Sequence, residues 1–138
     1  MATRDALVAA YVRAVETGDS ARALDLVLTR GEFGWLYYPT APQGLPPYDL
    51  SPSLFWFLTE GATAKGLRRL LDERGGRGFG YAGYRCDPAP SREGANTLWG
   101  PCLVQHVAAT GDTVEERLFG LIVERGGRFK FVSLANGF

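Results

Sequence analysis

The chain contains one histidine, His106, and two cysteines, Cys86 and Cys102, so reactivity near neutral pH rests on three positions and on whatever stands beside them. If Gly111-Asp112 is a two-residue hairpin turn, His106 lies opposite Arg117, and Val104 opposite Phe119. A three-residue Thr110-Gly111-Asp112 loop puts Glu116 opposite His106 instead, because one step of register exchanges the two faces of a strand. Either Glu115 or Glu116 then flanks the imidazole, and a carboxylate that orients an imidazole is the arrangement of a general base. Arg117 in that setting stabilises an oxyanion. The same residues also suit a plainer role, a rim histidine with one ordinary hydrogen bond among solvated carboxylates.

Cys86 and Cys102 sit at the end of one expected strand and within the next, with a connection centred near Gly94, so a hairpin brings them opposite each other. That geometry permits a disulfide. A bridge places the chain in an oxidising compartment, exported or periplasmic, whereas two reduced thiols suit a cytoplasmic core. A Cys102–His106 nucleophilic pair is excluded, since two side-chain steps along a strand span roughly 13 Å. Two widely spaced cysteines and one histidine form no standard zinc ligand set, so no metal is expected. No phosphate-binding glycine loop, zinc-protease helix motif or nucleophile elbow is present, and no cofactor is expected.

Several aromatic residues, Trp35, Tyr37, Tyr38, Tyr48, Trp56 and Phe57, lie in or near a proline-rich stretch. They either line a binding cavity, with Tyr37, Tyr38 and Tyr48 on a lid, or cover the core. The chain's 138 residues carry 15 basic and 15 acidic side chains at 46% hydrophobic content. That balance suits one domain spanning residues 1–138 and offers no electrostatic footprint for nucleic acid or an anionic membrane. The longest apolar runs, Leu54 to Leu58 and Leu118 to Val123, fall far short of the roughly 20 residues that span a bilayer. The opening residues, with Arg4 and Asp5, lack the apolar stretch of a secretory signal.

These side chains must be positioned by helices first and strands second. Leu7, Val8, Tyr11, Val12 and Val15 recur at helical spacing from Thr3 to Thr17, with Thr3 as N-cap and Gly18 as terminator. Asp19 or Ser20 caps a second helix to about Leu28. Glu32 to Tyr48, interrupted by Pro39, Pro42, Pro46 and Pro47, reads as a packed loop after a short helical turn. Ser51 and Pro52 open a helix through Leu58, Thr63 caps another through Leu71, and Gly75-Gly76 ends it. Four antiparallel strands are expected after that: Phe79 to Cys86, Thr97 to Ala108, Thr113 to Arg125 and Arg128 to Asn136. With Gly126-Gly127 as a two-residue turn, one sheet face collects Val104, Phe119, Leu121, Val132 and Leu134, bordered by a polar row of His106, Arg117 and Asn136. An apolar face ending in a polar row is how a pocket between sheet and helices looks. The string Glu-Arg-Gly-Gly-Arg occurs at 73–77 and 124–128, but nothing around the copies matches, so repeat architectures are set aside.

The opening Ala9-Ala10-Tyr11-Val12-Arg13-Ala14-Val15-Glu16-Thr17-Gly18-Asp19, with the following Ala23-Leu24 helix, resembles the start of NTF2-like (SnoaL-like, cystatin-like α+β) proteins. The final strands around Gly126-Gly127-Arg128-Phe129 resemble that family's ending. The resemblance implies an α+β cone, in which N-terminal helices lie in a curved sheet of four or more antiparallel strands around a cavity, often as a dimer. It also implies that Tyr11 stands where isomerase-like members carry a catalytic tyrosine, although the family's carboxylic acids have no counterpart here. The leading expectation is a binding domain for an apolar small molecule or peptide, with His106, Arg117, Asn136, Tyr84 and the aromatic loop around the ligand. The alternative is an isomerase- or dehydratase-like enzyme with His106 as base, Arg117 as oxyanion stabiliser and Tyr11 or Tyr84 as donor. A third reading is a homodimerising module whose exposed sheet face pairs with a second copy.

Overall fold

The structure, a computed structural model, describes residues 1–134. Short polar side chains open each helix by accepting from backbone N–H groups that have no partner within it. Thr3 accepts from Ala6 N at the start of α1 (Arg4–Glu16), and Asp19 accepts from Arg22 N at the start of α2 (Ser20–Asp25). Between them Gly18 adopts φ +68°, the left-handed conformation that ends a helix with least strain on glycine. Thr29 and Glu32 form a reciprocal capping box on the single turn α3 (Arg30–Glu32). A wide helical turn at Phe33–Tyr37 and two tight turns at Tyr38–Thr40 and Pro42–Gly44 follow. This is the packed irregular segment expected from its prolines.

Ser51 caps α4 (Pro52–Arg74) by accepting from Leu54 N, and the helix ends at Gly75. The two helices expected here are one 23-residue helix. Thr63 is no cap: it is buried within α4, donates to Ser133 Oγ at 3.3 Å and accepts from Leu134 N at 3.2 Å. Partners supplied by the far end of the chain leave its hydroxyl no reason to compete with the helix backbone.

Among the described residues the four expected strands resolve into six, and a seventh, β2, forms in the connection expected between the first two: β1 (Tyr81–Cys86), β2 (Ser91–Glu93), β3 (Asn96–Trp99), β4 (Cys102–Val107), β5 (Thr113–Glu116), β6 (Ile122–Arg125) and β7 (Arg128–Phe131). They form two antiparallel sheets, of order β1-β4-β5 and β2-β3-β6-β7. Two expected strands were too long because each crosses between sheets. The first breaks at Gly100-Pro101, where proline offers no N–H to a ladder and Gly100 takes φ +155°, with the Leu121 side chain packed against it. The second breaks over residues 117–121.

The Gly126-Gly127 turn has the expected register, from Arg125 opposite Arg128 to Ile122 opposite Phe131, and Val132 N continues it by donating to Leu121 O. The other hairpin differs from both expectations. Ala108 N donates to Asp112 O and Gly111 N to Ala108 O, which closes the loop over residues 109–111. The ladder then pairs Val107 with Thr113, His106 with Val114 and Val104 with Glu116. Relative to the two-residue turn, the partner of His106 moves from Arg117 to Val114. An odd shift exchanges faces.

The inner faces meet the helices in one core of Leu7, Tyr11, Val15, Leu67, Val104, Phe119, Phe131 and their neighbours. Tyr11, Phe119 and Phe131 stand with ring centroids 4.7–5.9 Å apart, contacts worth about 0.5–1.5 kcal/mol each beyond area burial. A second core, with Phe33, Tyr37, Phe55, Leu98, Val123 and Val132, covers the opposite face of the four-stranded sheet. The single apolar face expected from the sequence is therefore divided: Val104, Phe119 and Leu134 join the first core, Leu121 and Val132 the second.

Candidate functional site

The corrected register places Glu116 on the same face as His106, two residues beyond His106's partner Val114, so the two side chains meet diagonally across β4 and β5. His106 Nε2 lies 3.0 Å from Glu116 Oε1. From the last residue of α4, Arg74 donates through Nη2 to both Glu116 oxygens, at 2.5 and 2.6 Å. Burial alone pushes the Glu116 carboxyl up, but the hydrogen bonds and charges of Arg74 and His106 outweigh it and hold it below the usual glutamate range. An ionised carboxylate only accepts, so Nε2 of His106 carries the proton between them. The imidazole is buried, with Phe79 edge-on at 5.7 Å and Tyr81 its partner on the β1 side. Arg74 also lies over the Phe79 ring, and among the described residues its buried Nη1 has no hydrogen-bond partner.

Glu116 is also part of the wall of a surface groove of about 320 Å³. One side of the groove is a face of α4, where Ala62, Lys65, Gly66, Arg69, Leu70 and Glu73 follow the three- and four-residue spacing of a helix stripe. Across from it lie Glu116, Arg117 and Leu118, with Leu134 completing the apolar wall. Lys65, Arg69 and Arg117 are exposed, and among the described residues none of them makes an ion pair or side-chain hydrogen bond. Of the two carboxylates, Glu116 is already engaged by Arg74 and His106. A surplus of unpaired cations above an apolar floor is chemically suited to an amphipathic anion.

The structure places the other residues singled out by sequence as follows. Arg117 shares the groove with Glu116 but stands beyond the end of β5, away from the His106 ladder pair. Asn136 lies outside the described residues. Tyr11 is fully buried and donates to Leu118 O at 3.0 Å, and burial pushes its phenol far above the usual range. Tyr84 accepts from Arg4 Nε and donates to Asp5, and burial, followed by the Asp5 bond, pushes it up to about 12. Arg4 itself is stacked over Trp99 at 4.4 Å. Tyr37 is buried in the second core, Tyr38 donates to Leu50 O, and Tyr48 is exposed. Trp56 packs on Phe33 at 5.4 Å and borders a separate groove of about 270 Å³ beside Thr59 and Val132. Tyr37, Tyr38 and Trp56 thus gather around Phe33 and Phe55 as part of the second core, while Tyr48 stands apart and exposed. Cys86 and Cys102 are opposite each other in β1 and β4 and joined by a disulfide.

Sequence reasoning missed Lys65, Arg69 and Arg74. Their signal was present in the positive positions 65 and 69, one helical turn apart on the stripe that carries Ala62 and Leu70. Among the described residues no three His, Cys, Asp or Glu side chains stand close enough to share a metal ion, and no helix is long and apolar enough to cross a membrane. Comparison with protein-family models, with curated proteins and with solved structures finds no match to this chain.

Proposed function

We propose that this chain is a small-molecule binding domain whose ligand is an amphipathic anion, a carboxylate or phosphate on an apolar body, held between α4 and residues 116–118. The observation that carries the reading is the set of three cations, Lys65, Arg69 and Arg117, unpaired among the described residues, around one groove floored by Leu70, Leu118 and Leu134. Its volume of about 320 Å³ falls at the small end of the range for ligand sites. The anion takes charge-assisted hydrogen bonds from the cations, and the apolar body displaces water from the leucines.

Use of His106 as a general base is the second reading, favoured by its contact with Glu116. It is the weaker one, because His106 lines none of the grooves described here while Glu116 lines this one. The cone-like NTF2-like fold is likewise our reading, supported by N-terminal helices packed against antiparallel strands that cross between two sheets. The Cys86–Cys102 bridge supports action in an oxidising compartment, outside the cytoplasm.

Calorimetric titration with decanoate and its uncharged counterpart decanol tests the binding reading. Decanoate is expected to bind at least tenfold more tightly. Substituting Lys65, Arg69 and Arg117 together by Gln is expected to abolish that preference, each lost charge-assisted bond being worth about 1.5 kcal/mol or more. Equal binding of the two probes overturns the proposal.

A further inference from the structure

A second groove, of about 480 Å³, lies between the wide turn at Phe33–Tyr37 and the β6–β7 hairpin, and it shares no lining residue with the first. Trp35, Leu36, Val123 and Phe129 provide its apolar surface, and Arg125, Arg128 and the Glu32–Lys130 pair its charged groups. We infer that this groove is a separate site for a small aromatic anion, its ring against Trp35 and its acidic group between Arg125 and Arg128.

Three independent observations point there. Register places Arg125 and Arg128 directly opposite each other across Gly126-Gly127, and like charges in that position repel and destabilise a hairpin unless a counter-charge lies between them. No carboxylate of the groove fills that role: Glu32 is bound by Lys130 Nζ at 2.8 Å and by Thr29 N. Arg128 is exposed and has no side-chain partner among the described residues, while Arg125 uses Nη1 on Leu36 O at 3.2 Å and leaves the rest of its guanidinium fork open. Trp35, finally, is 64% exposed, and its ring already holds the Arg125 guanidinium at 5.4 Å. A planar ligand can extend that stack, and a cation fixed on the indole gives its acidic group a partner without reorganisation. Space for the ligand is open beside Gly126, where an added Cβ meets no atom within 4 Å.

The test is a titration of the whole chain with 1-naphthylacetate and with uncharged 1-naphthaleneethanol, followed by amide and indole N–H chemical shifts. The expected result is a saturable shift of the Trp35 indole and of the Gly126 and Arg128 amides, with the acid at least tenfold tighter than the alcohol. Arg128→Gln is expected to weaken the acid about tenfold and Trp35→Leu to remove the saturable shift. Both side chains are exposed, so the fold does not rest on them, and unchanged shifts for the core residues Val104 and Phe119 check this directly. No saturation below about 1 mM, equal affinity of acid and alcohol, or shifts confined to Lys65 and Arg69 each overturn the inference. Because the two grooves report through different residues, failure here leaves the first groove's result standing, and the reverse also holds.

Discussion

Replacing Glu116 with Gln removes one charge from the junction of α4, β4 and β5 while keeping the side chain's shape. In the native protein both carboxylate oxygens accept from Arg74 Nη2, and one also faces His106 Nε2 at 3.0 Å. A neutral amide retains one acceptor oxygen and turns an N–H group toward the remaining donor. Arg74, whose Nη1 already lacks a hydrogen bond among the described residues, is left as a cation without its counter-charge. Hydrogen bonds to charged groups are worth about 1.5–3 kcal/mol, and with partial solvent screening the expected loss is about 2 kcal/mol. For a chain of this length that corresponds to a fall in melting temperature of roughly 7 °C. The loss has a signed pH dependence. Since the folded carboxyl titrates below its unfolded value, its stabilisation is complete above the unfolded pKa of about 4.3 and disappears as pH falls through the folded one. Urea unfolding of both proteins between pH 7 and pH 3 measures this: the gap is expected to be full at pH 7 and to close toward pH 3. The substitution also removes a negative charge from the groove, so decanoate is expected to bind more tightly although the protein is less stable. A gap that persists unchanged at pH 3, or no loss of stability at pH 7, refutes the reasoning.

Three further outcomes follow from the same structure. Tyr11→Phe is expected to cost about 1 kcal/mol by leaving the Leu118 carbonyl without its donor, whereas a tyrosine serving only a reaction would melt unchanged when so replaced. Thr63→Val, which removes the hydroxyl joining α4 to Ser133 and Leu134, is expected to lose about 1 kcal/mol in denaturant unfolding, and an unaltered midpoint would contradict its placement. Reducing the Cys86–Cys102 bridge, whose cysteines are 16 residues apart, is expected to lower stability by about 3 kcal/mol and to raise the intact mass by about two daltons. An unchanged mass with two alkylatable thiols in the untreated protein would show that the bridge is not formed.

Local chemistry was the legible part of the sequence. Thr3, Asp19 and Ser51 announced their helices because each side chain satisfies N–H groups a few residues away, and Gly126-Gly127 set its hairpin because two consecutive residues there adopt positive φ, at 58° and 76°. What depended on distant partners was not legible. Thr63 has the composition of a cap, yet Ser133 and Leu134 keep it inside a helix. The residue 109–111 loop closes one position earlier than its Thr-Gly-Asp composition indicates, and that displacement moves Glu116 from directly opposite His106 to the diagonal position on the same face. Gly100-Pro101 carried a readable warning against a continuous strand, but the transfer of the chain into a second sheet depends on the distant partners of β3 and β4, Ile122–Arg125 and Tyr81–Cys86. Of the groove cations, Arg117 was singled out, but as part of the His106 row, and Lys65 and Arg69 went unread because the Arg117 and Leu118 that face them come from a crossover no periodicity describes.

The central claim, that an amphipathic anion occupies the groove between α4 and residues 116–118, is tested most directly by mapping decanoate-induced amide shifts on the intact protein. The account predicts saturable shifts concentrated at Gly66, Arg69, Arg117 and Leu118 that weaken as salt is raised. Shifts centred elsewhere, or a response indifferent to salt and equal for decanol, would contradict it.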